Sequence, residues 1–153
     1  MYQSILLPTD GSPAAEAGVQ EGLRLAKALE ARVAFLYALE PLGPRLLLGP
    51  ETLPYYQALV EDMRKEGLAA LDRATRMAEE MGGGFEAHLL EGRAAEVILK
   101  EAEKHDLVVM ATHGRTGLDA VLLGSVTREV VRRSPRPVLV VPYRARWREA
   151  ASR

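Results

Sequence analysis

Cysteine is absent from this chain of 153 residues, and neither sign of charge is in excess. Without cysteine the chain can form neither a disulfide framework nor a thiolate metal site. The 20 basic and 21 acidic side chains nearly cancel, which leaves a formal net charge of -1. A dedicated nucleic-acid-binding protein normally has a strongly basic domain or face, so we expect small molecules or proteins as partners, and no nucleic acid.

The first residues lack the features of a leader peptide and of a membrane span. Residues 1–8 contain no cationic segment, and their apolar run is too short for either structure. We therefore expect a cytoplasmic protein with no membrane as partner. The length fits one ordinary domain with a single hydrophobic core. We predict that this domain covers residues 1–143 and that a polar tail follows over residues 144–153.

What the chain does contain is an alternation of short apolar runs with longer amphipathic segments. This alternation is typical of β-α-β units and of a parallel sheet. It predicts a doubly wound α/β domain with five strands in the flavodoxin-like order 3-2-1-4-5 and helices on both faces. The predicted strands cover residues 4–8, 32–39, 85–90, 107–112 and 138–141, and the predicted helices cover residues 13–30, 55–81, 94–105 and 125–133. We interpret the connection over residues 41–54 as a flap or an interface loop.

Folds of this class bind ligands at the carboxyl ends of the strands, where the winding direction switches. Two segments of the chain, residues 8–12 and 111–127, lie at this position. The second segment is longer than an ordinary connection in a compact domain, which is usual for a functional loop. Its Gly124-Ser125 pair precedes a helix, so exposed amides, the helix dipole and the hydroxyls of Ser125 and Thr127 predict an anion site.

Other residues of the second segment support the anion site but also allow a plainer interpretation. Gly114 and Gly117 permit close approach of the backbone to a ligand, and Arg115 would add a full positive charge. The same glycines are compatible with an ordinary tight turn, and Ser125 with a simple N-cap. The chain has neither a P-loop nor a dinucleotide-binding fingerprint. It also lacks a G-x-S-x-G elbow, so His113 together with Ser12 or Ser125 does not predict a hydrolase.

The motifs in and around these two segments resemble those of the universal stress protein family, and the resemblance spans nearly the whole chain. The matching residues are Leu6-Leu7-Pro8-Thr9-Asp10-Gly11-Ser12, Thr112-His113-Gly114-Arg115-Thr116-Gly117, Leu123-Gly124-Ser125-Val126 and Pro137-Val138-Leu139-Val140-Val141-Pro142. ATP-binding members of that family carry glycine, two residues, glycine, nine residues, glycine, and then serine or threonine. Here Ala111 stands at the first glycine, Gly114 stands at the second, and Gly124-Ser125 complete the pattern.

The resemblance implies an ATP site built from residues of both segments. It implies that Asp10 faces the ribose or a phosphate-bound Mg²⁺, and that the backbone of Ala38 lies beside the adenine. A carboxylate directly after the first strand suits either role, although Asp10 before Gly11 is also a common turn residue. The residues assigned to nucleotide binding are Pro8, Thr9, Asp10, Ala38, Met110, Ala111, His113, Gly114, Arg115, Gly117, Gly124, Ser125, Val126 and Thr127.

The fifth strand bears on assembly, because in the predicted order it lies at an edge of the sheet. An apolar edge strand invites pairing with another chain, so residues 138–141 predict a homodimer, which the resemblance also implies. Two function classes remain open. One is a stress-response regulatory module that binds ATP and hydrolyses it slowly at most, with no catalytic residue assigned. The other is a nucleotide-free dimeric interaction protein of the same fold, which the alanine at position 111 would favour.

Overall fold

The computed structural model describes residues 1–43, 48–113 and 123–143. The strands are β1 (Ser4–Pro8), β2 (Arg32–Leu39), β3 (Phe85–Glu91), β4 (Leu107–Ala111) and β5 (Val138–Val141). The helices are α1 (Pro13–Leu29), α2 (Leu53–Met81), α3 (Ala94–Ala102) and α4 (Ser125–Arg133), and a 3-10 turn covers Pro50–Thr52. The predictions for Gly114, Arg115 and Gly117, for the centre of the 41–54 connection and for the polar tail lie outside the described residues.

All five strands belong to one parallel sheet in the order β3-β2-β1-β4-β5, which confirms the predicted topology. The central strand β1 pairs with β2, where Leu7 lies opposite Phe35, and with β4, where Leu6 lies opposite Val108. From β1 the chain builds the sheet outward to β3, and it then crosses back to add β4 and β5 on the other side. The winding direction therefore switches between β1 and β4, which opens a crevice at their carboxyl ends.

Side chains that alternate along the strands form two buried layers, one on each face of the sheet. Leu7 and Phe35, both fully buried, belong to the layer that α1 and α2 cover. Leu6 and Val108 belong to the opposite layer, where Ile98 of α3 packs. Burial of each such side chain contributes about 1.5–3 kcal/mol to folding. The two layers hold the sheet firmly between the helices, and they set the positions of the residues that follow each strand.

The first helix begins where the sequence predicts. The Ser12 hydroxyl accepts a hydrogen bond from the Ala15 amide at 3.1 Å, and Pro13 occupies the first helical position. This combination satisfies one otherwise unpaired amide and presets the backbone angle of the first turn. The second helix begins at Leu53, two residues before its predicted start.

The third helix is shorter than predicted, because it ends at Ala102 and not at His105. Contacts with the beginning of β1 draw the chain away from the helix axis. The Nδ1 atom of His105 lies 2.6 Å from the Ser4 hydroxyl, and the Asp106 carboxylate accepts the amides of Gln3 and Ser4 at 2.8 and 3.1 Å. These contacts place the beginning of β4 beside β1.

Candidate functional site

A cleft of about 460 Å³ lies at the carboxyl ends of β1, β2 and β4, beside the first residues of α3 and α4. Every predicted site residue that the structure describes lines this cleft. These residues are Pro8, Thr9, Asp10, Ala38, Met110, Ala111, His113, Gly124, Ser125, Val126 and Thr127. The fold thus brings the end of the first strand and the start of the last helix into one site.

One wall of the cleft is apolar. Ala38 and Met110 lie on it together with Leu36 and Ile98, two residues that sequence reasoning missed. Leu36, Ile98 and Met110 belong to the buried layer under α3 and α4, so packing holds them in place. Alternation along β2 was the available signal for Leu36, because it lies two residues before Ala38 and therefore on the same face. An apolar wall of this kind suits the face of a ring system.

The turn after β1 holds Asp10 in a defined position. The Asp10 Oδ1 atom accepts the Ser12 amide at 2.9 Å, and the Thr9 hydroxyl accepts the Gly11 amide at 3.1 Å. Gly11 has a φ of +79°, and a Cβ there would lie 3.1 Å from the Ala70 Cβ, so this position requires glycine. Asp10 therefore stabilises the turn, as its plainer interpretation predicts, and it also lines the cleft.

Hydrogen bonds attach the beginning of α4 to the end of β4. The Gly124 amide donates to the Thr112 carbonyl at 2.7 Å, and the buried Thr127 hydroxyl donates to the Ala111 carbonyl at 2.8 Å. A Cβ at Gly124 would lie 3.1 Å from the Cα of His113, so the backbones approach here as closely as glycine allows. The first turn of α4 is thereby held at the edge of the cleft.

The amino end of α4 has the properties of an anion site. Gly124 is the N-cap residue and offers no side chain, and no side-chain cap from the described residues takes its place. The amides of the first helical turn have no partner within the helix, and the aligned peptide dipoles add roughly half a positive charge at this end. Ser125, the first residue of the helix, is exposed. A phosphate oxygen is the kind of ligand that such an end binds.

The amino end of α3 faces the same cleft but is already capped. The Glu40 carboxylate, at the end of β2, accepts the Ala94 amide at 2.9 Å, and both residues line the cleft. Sequence reasoning missed this contact, because it joins residues from two distant segments. The carboxylate satisfies the helix end and places negative charge on this side of the cleft.

Ala111 stands where the family pattern has glycine, and its methyl group faces away from the α3 and α4 layer. Val109, two residues earlier on β4, belongs to the layer under α1, so alternation places Ala111 on that face too. A Cβ built at Gly18 of α1 would lie 3.5 Å from the Ala111 Cβ. The methyl group therefore packs against α1, and Ala111 also lines the cleft.

Four charged side chains form a closed ring between α3 and α4. Arg93 donates to both carboxylate oxygens of Glu129 at 2.7 and 2.8 Å and to Glu96 at 2.6 Å. Arg133 donates to Glu96 at 2.7 Å and to Glu129 at 2.8 Å. The hydrogen bond from Arg93 is the main reason that the pKa of Glu129 falls to about 2. Arg133 first and Arg93 second hold the pKa of Glu96 below its ordinary value.

The sequence profile described as the Universal stress protein family matches residues 1–142. The chain belongs to the universal stress protein family. Universal stress protein MJ0531 of Methanocaldococcus jannaschii is 37% identical over 143 residues, which cover 92% of this chain and 82% of that protein. The resemblance inferred from the motifs is thus confirmed.

Solved structures of universal stress proteins share the fold. The UspA protein from Lactobacillus plantarum superimposes with a TM-score of 0.80 at 24% identity, covering 92% of this chain and 97% of that one. A universal stress protein in complex with cAMP superimposes with a TM-score of 0.68 at 27% identity, again covering 92% of this chain and 97% of that one. The predicted α/β architecture therefore agrees with that of the family.

Two features of the described residues of this universal stress protein bear on the predicted metal and membrane partners. Within residues 1–43, 48–113 and 123–143, no three His, Asp or Glu side chains are grouped so that they could hold a metal ion by themselves. In the same ranges, no helix is long and apolar enough to cross a membrane.

Proposed function

We propose that this protein binds ATP, or a related adenine nucleotide, in the cleft at the carboxyl end of the sheet and acts as a regulatory module of the stress response. The observation that carries the proposal is the amino end of α4, which no side chain among the described residues caps and which borders the same cleft as Asp10 and the apolar wall. One cleft therefore offers a place for phosphates, for a sugar and for a base.

The chemistry of the cleft suggests how the nucleotide lies. The base would pack on the wall formed by Leu36, Ala38 and Met110, with the backbone of Ala38 at its edge. The phosphates would meet the amides at the start of α4, because the Glu40 carboxylate already occupies the Ala94 amide of α3. The bound cAMP of the family member that is 27% identical supports an adenine nucleotide as the ligand class.

We further propose that Asp10 holds either the ribose hydroxyls or a Mg²⁺ ion that the phosphates bring. Its Oδ1 atom accepts the Ser12 amide, which fixes the carboxylate at the end of β1. Mg²⁺ commonly binds through one or two carboxylates together with phosphate oxygens and water. A single carboxylate is therefore sufficient for the ion once ATP is present.

Hydrolysis is expected to be slow at most. A general base must be oriented toward the attacking water by its neighbours. His113, which lines the cleft, has its Nδ1 atom 3.1 Å from the Thr112 hydroxyl and its ring 6.0 Å from the ring of Tyr143. We expect ATP turnover below about one per minute, far under the roughly 1–10³ per second typical of enzymes. Fast Mg²⁺-dependent turnover that Asp10→Ala abolishes would contradict this expectation.

We also propose that the protein is a homodimer assembled through β5. This strand lies at an edge of the sheet, and its side chain Leu139 is 44% exposed. Edge strands with apolar side chains pair readily with another strand. Sedimentation should show a dimer at micromolar protein concentration, and Leu139→Lys should shift it toward monomer. A wild-type protein that sediments only as a monomer would overturn this part of the proposal.

Calorimetric titration of ATP with Mg²⁺ into the nucleotide-stripped protein tests the proposal. We expect a dissociation constant of about micromolar size in the wild type. Gly124→Val should lose binding, because its side chain would crowd His113 and cover the amides. Gly83→Val is the matched control, since a Cβ there meets nothing within 4 Å. Absence of binding in the wild type would overturn the proposal and favour a nucleotide-free interaction protein.

A further inference from the structure

The ring of Arg93, Glu96, Glu129 and Arg133 lies directly behind the cleft. Arg93 immediately precedes Ala94, which lines the cleft. Glu129 lies about one helical turn after Ser125, which also lines the cleft. The Arg93–Glu129 pair therefore connects the two helices whose amino ends border the cleft.

The fourth helix has few other attachments. It contains nine residues, of which only Thr127 and Val130 are buried. Its other polar attachments to the described residues are the Thr127 hydroxyl bond to the Ala111 carbonyl and the Gly124 amide bond to the Thr112 carbonyl, both at its first turn. A helix with so small a buried surface depends on polar contacts for its exact orientation. The ring supplies such contacts on the side that faces α3.

We propose that Arg93 and Glu129 are positioning residues of the nucleotide site, because their two-fold hydrogen-bonded pair holds the amino end of α4 in the orientation that binds phosphate. This inference rests on the proposed nucleotide-binding function. Neither residue needs to touch the ligand, since each acts through the helix that it holds.

The geometry explains why this ring can position a helix when most surface ion pairs contribute little. An isolated exposed pair gains modest Coulomb energy and loses side-chain entropy. Here Arg93 binds both oxygens of Glu129, an arrangement that adds directional specificity, and each of the four charges has two opposite partners. Holding a binding group in place before the ligand arrives lowers the entropy cost of binding.

A comparison of two neutral variants separates positioning from simple charge. Arg93→Gln removes a positive charge near the phosphates, and Glu129→Gln removes a negative one. If the ring acted only through its field, the first variant would weaken ATP binding and the second would strengthen it. Positioning predicts that both weaken ATP binding by about fivefold, within the range of coupling in such networks. Adenosine, which has no phosphate, should bind both variants as it binds the wild type.

Calorimetry of the double variant and of a variant in a distant ion pair completes the test. Arg93→Gln with Glu129→Gln should weaken ATP binding no more than either single change, since each already breaks the pair. Arg24→Gln is the matched control, because Arg24 forms an exposed pair with Glu21 on α1. Opposite effects of the two single changes, or no effect of either, would overturn the inference.

Hydrogen exchange of the ligand-free protein decides the inference independently of nucleotide binding. The Arg128 amide donates to the Gly124 carbonyl at 2.9 Å, which closes the first turn of α4. Both single variants should speed exchange of this amide by about fivefold while amides of β1 stay unchanged. If the wild type did not bind ATP, the proposed function would fail, and unchanged exchange at Arg128 would separately overturn the role of the ring.

Discussion

Helices α3 and α4 are both nine residues long, and both begin at the same cleft, yet their amino ends differ. The Ala94 amide of α3 is bound by the Glu40 carboxylate, whereas α4 begins at Gly124 without a side-chain cap from the described residues. A helix end attracts anions only where the chain leaves its amides open and leaves room beside them. Under the proposed function, we therefore expect the phosphates at the start of α4 and not at the start of α3.

Giving α4 a carboxylate cap of its own should have the largest effect on binding. In Gly124→Asp, the new carboxylate would take the place of the phosphates at the first turn. We expect ATP affinity to fall by about a hundredfold or more, because opposed like charges cost several kcal/mol. Gly124→Ala measures the contribution of the Cβ alone, and Gly83→Asp controls for the added charge. Equal ATP binding by Gly124→Asp and Gly83→Asp would contradict the account.

Removing the Thr127 hydroxyl bond, one of the two hydrogen bonds that attach α4 to β4, should have the next largest effect, here on stability. Thr127→Val keeps the shape of the side chain but leaves the Ala111 carbonyl without its hydroxyl donor. A buried group that loses its hydrogen-bond partner costs about 1–3 kcal/mol. Urea unfolding should show this loss, and Thr127→Ser, which keeps the hydroxyl, should show less of it. Equal stability of the two variants would indicate that the hydroxyl bond contributes nothing.

Opening the capped end of α3 should cost stability and not affinity. Glu40→Ala should lower the free energy of unfolding by about 1 kcal/mol, since lost caps cost about this much. ATP affinity should not fall, because the change removes negative charge from the cleft. Glu40→Gln keeps an oxygen that can accept the Ala94 amide and should lose less stability. A strong loss of ATP binding in Glu40→Gln would show that the carboxylate contacts the ligand directly.

The carboxyl end of α3 leads into the buried His105, and its titration should give a smaller, pH-dependent effect. Burial is the main cause that lowers the pKa of His105, with Lys104 and His88 acting in the same direction and Glu86 and Glu101 opposing them. The folded state therefore favours the neutral ring. The stability that the neutral His105 ring contributes is complete above the unfolded pKa of about 6.5, and it is lost as pH falls through the lowered folded pKa.

Unfolding free energies at about pH 7.5 and about pH 5.5, on either side of the histidine pKa, measure this contribution. The wild type should lose more stability over this interval than His105→Gln, whose amide can still pair with the Ser4 hydroxyl. An identical pH dependence of the two proteins would mean that His105 titrates normally.

Restoring the family glycine at position 111 should have the smallest effect on binding. The Ala111 methyl group packs toward Gly18 of α1, so its removal opens no space where α3 and α4 meet the cleft. We expect ATP affinity of Ala111→Gly within about twofold of the wild type and a stability loss of about 0.5–1 kcal/mol from the more flexible backbone. Tenfold tighter ATP binding would show that the methyl group does obstruct the nucleotide.

Local patterns in the sequence were sufficient to predict the strand order and the residues after β1 and at the start of α4 that line the cleft. The apolar run of residues 4–8 and the Gly124-Ser125 helix start depend on neighbouring residues, so sequence reasoning could find them. The Glu40 cap on Ala94 depends on how two distant segments meet, and so does the length of α3, which the Ser4–His105 contact limits. The direction of the Ala111 methyl group depends on which face of β4 meets α1, and no local motif records that.

The most direct test of the central claim is a pair of amide NMR spectra, one of the protein saturated with ATP and one of the protein saturated with adenosine. Differences between the two spectra report the phosphates, since both ligands contain the base and the ribose. The account predicts large differences at the amides of Ser125, Val126 and Thr127 and none at Ala94, whose amide Glu40 already binds. Differences centred on Ala94, with none at Ser125, would contradict the claim that the open end of α4 binds the phosphates.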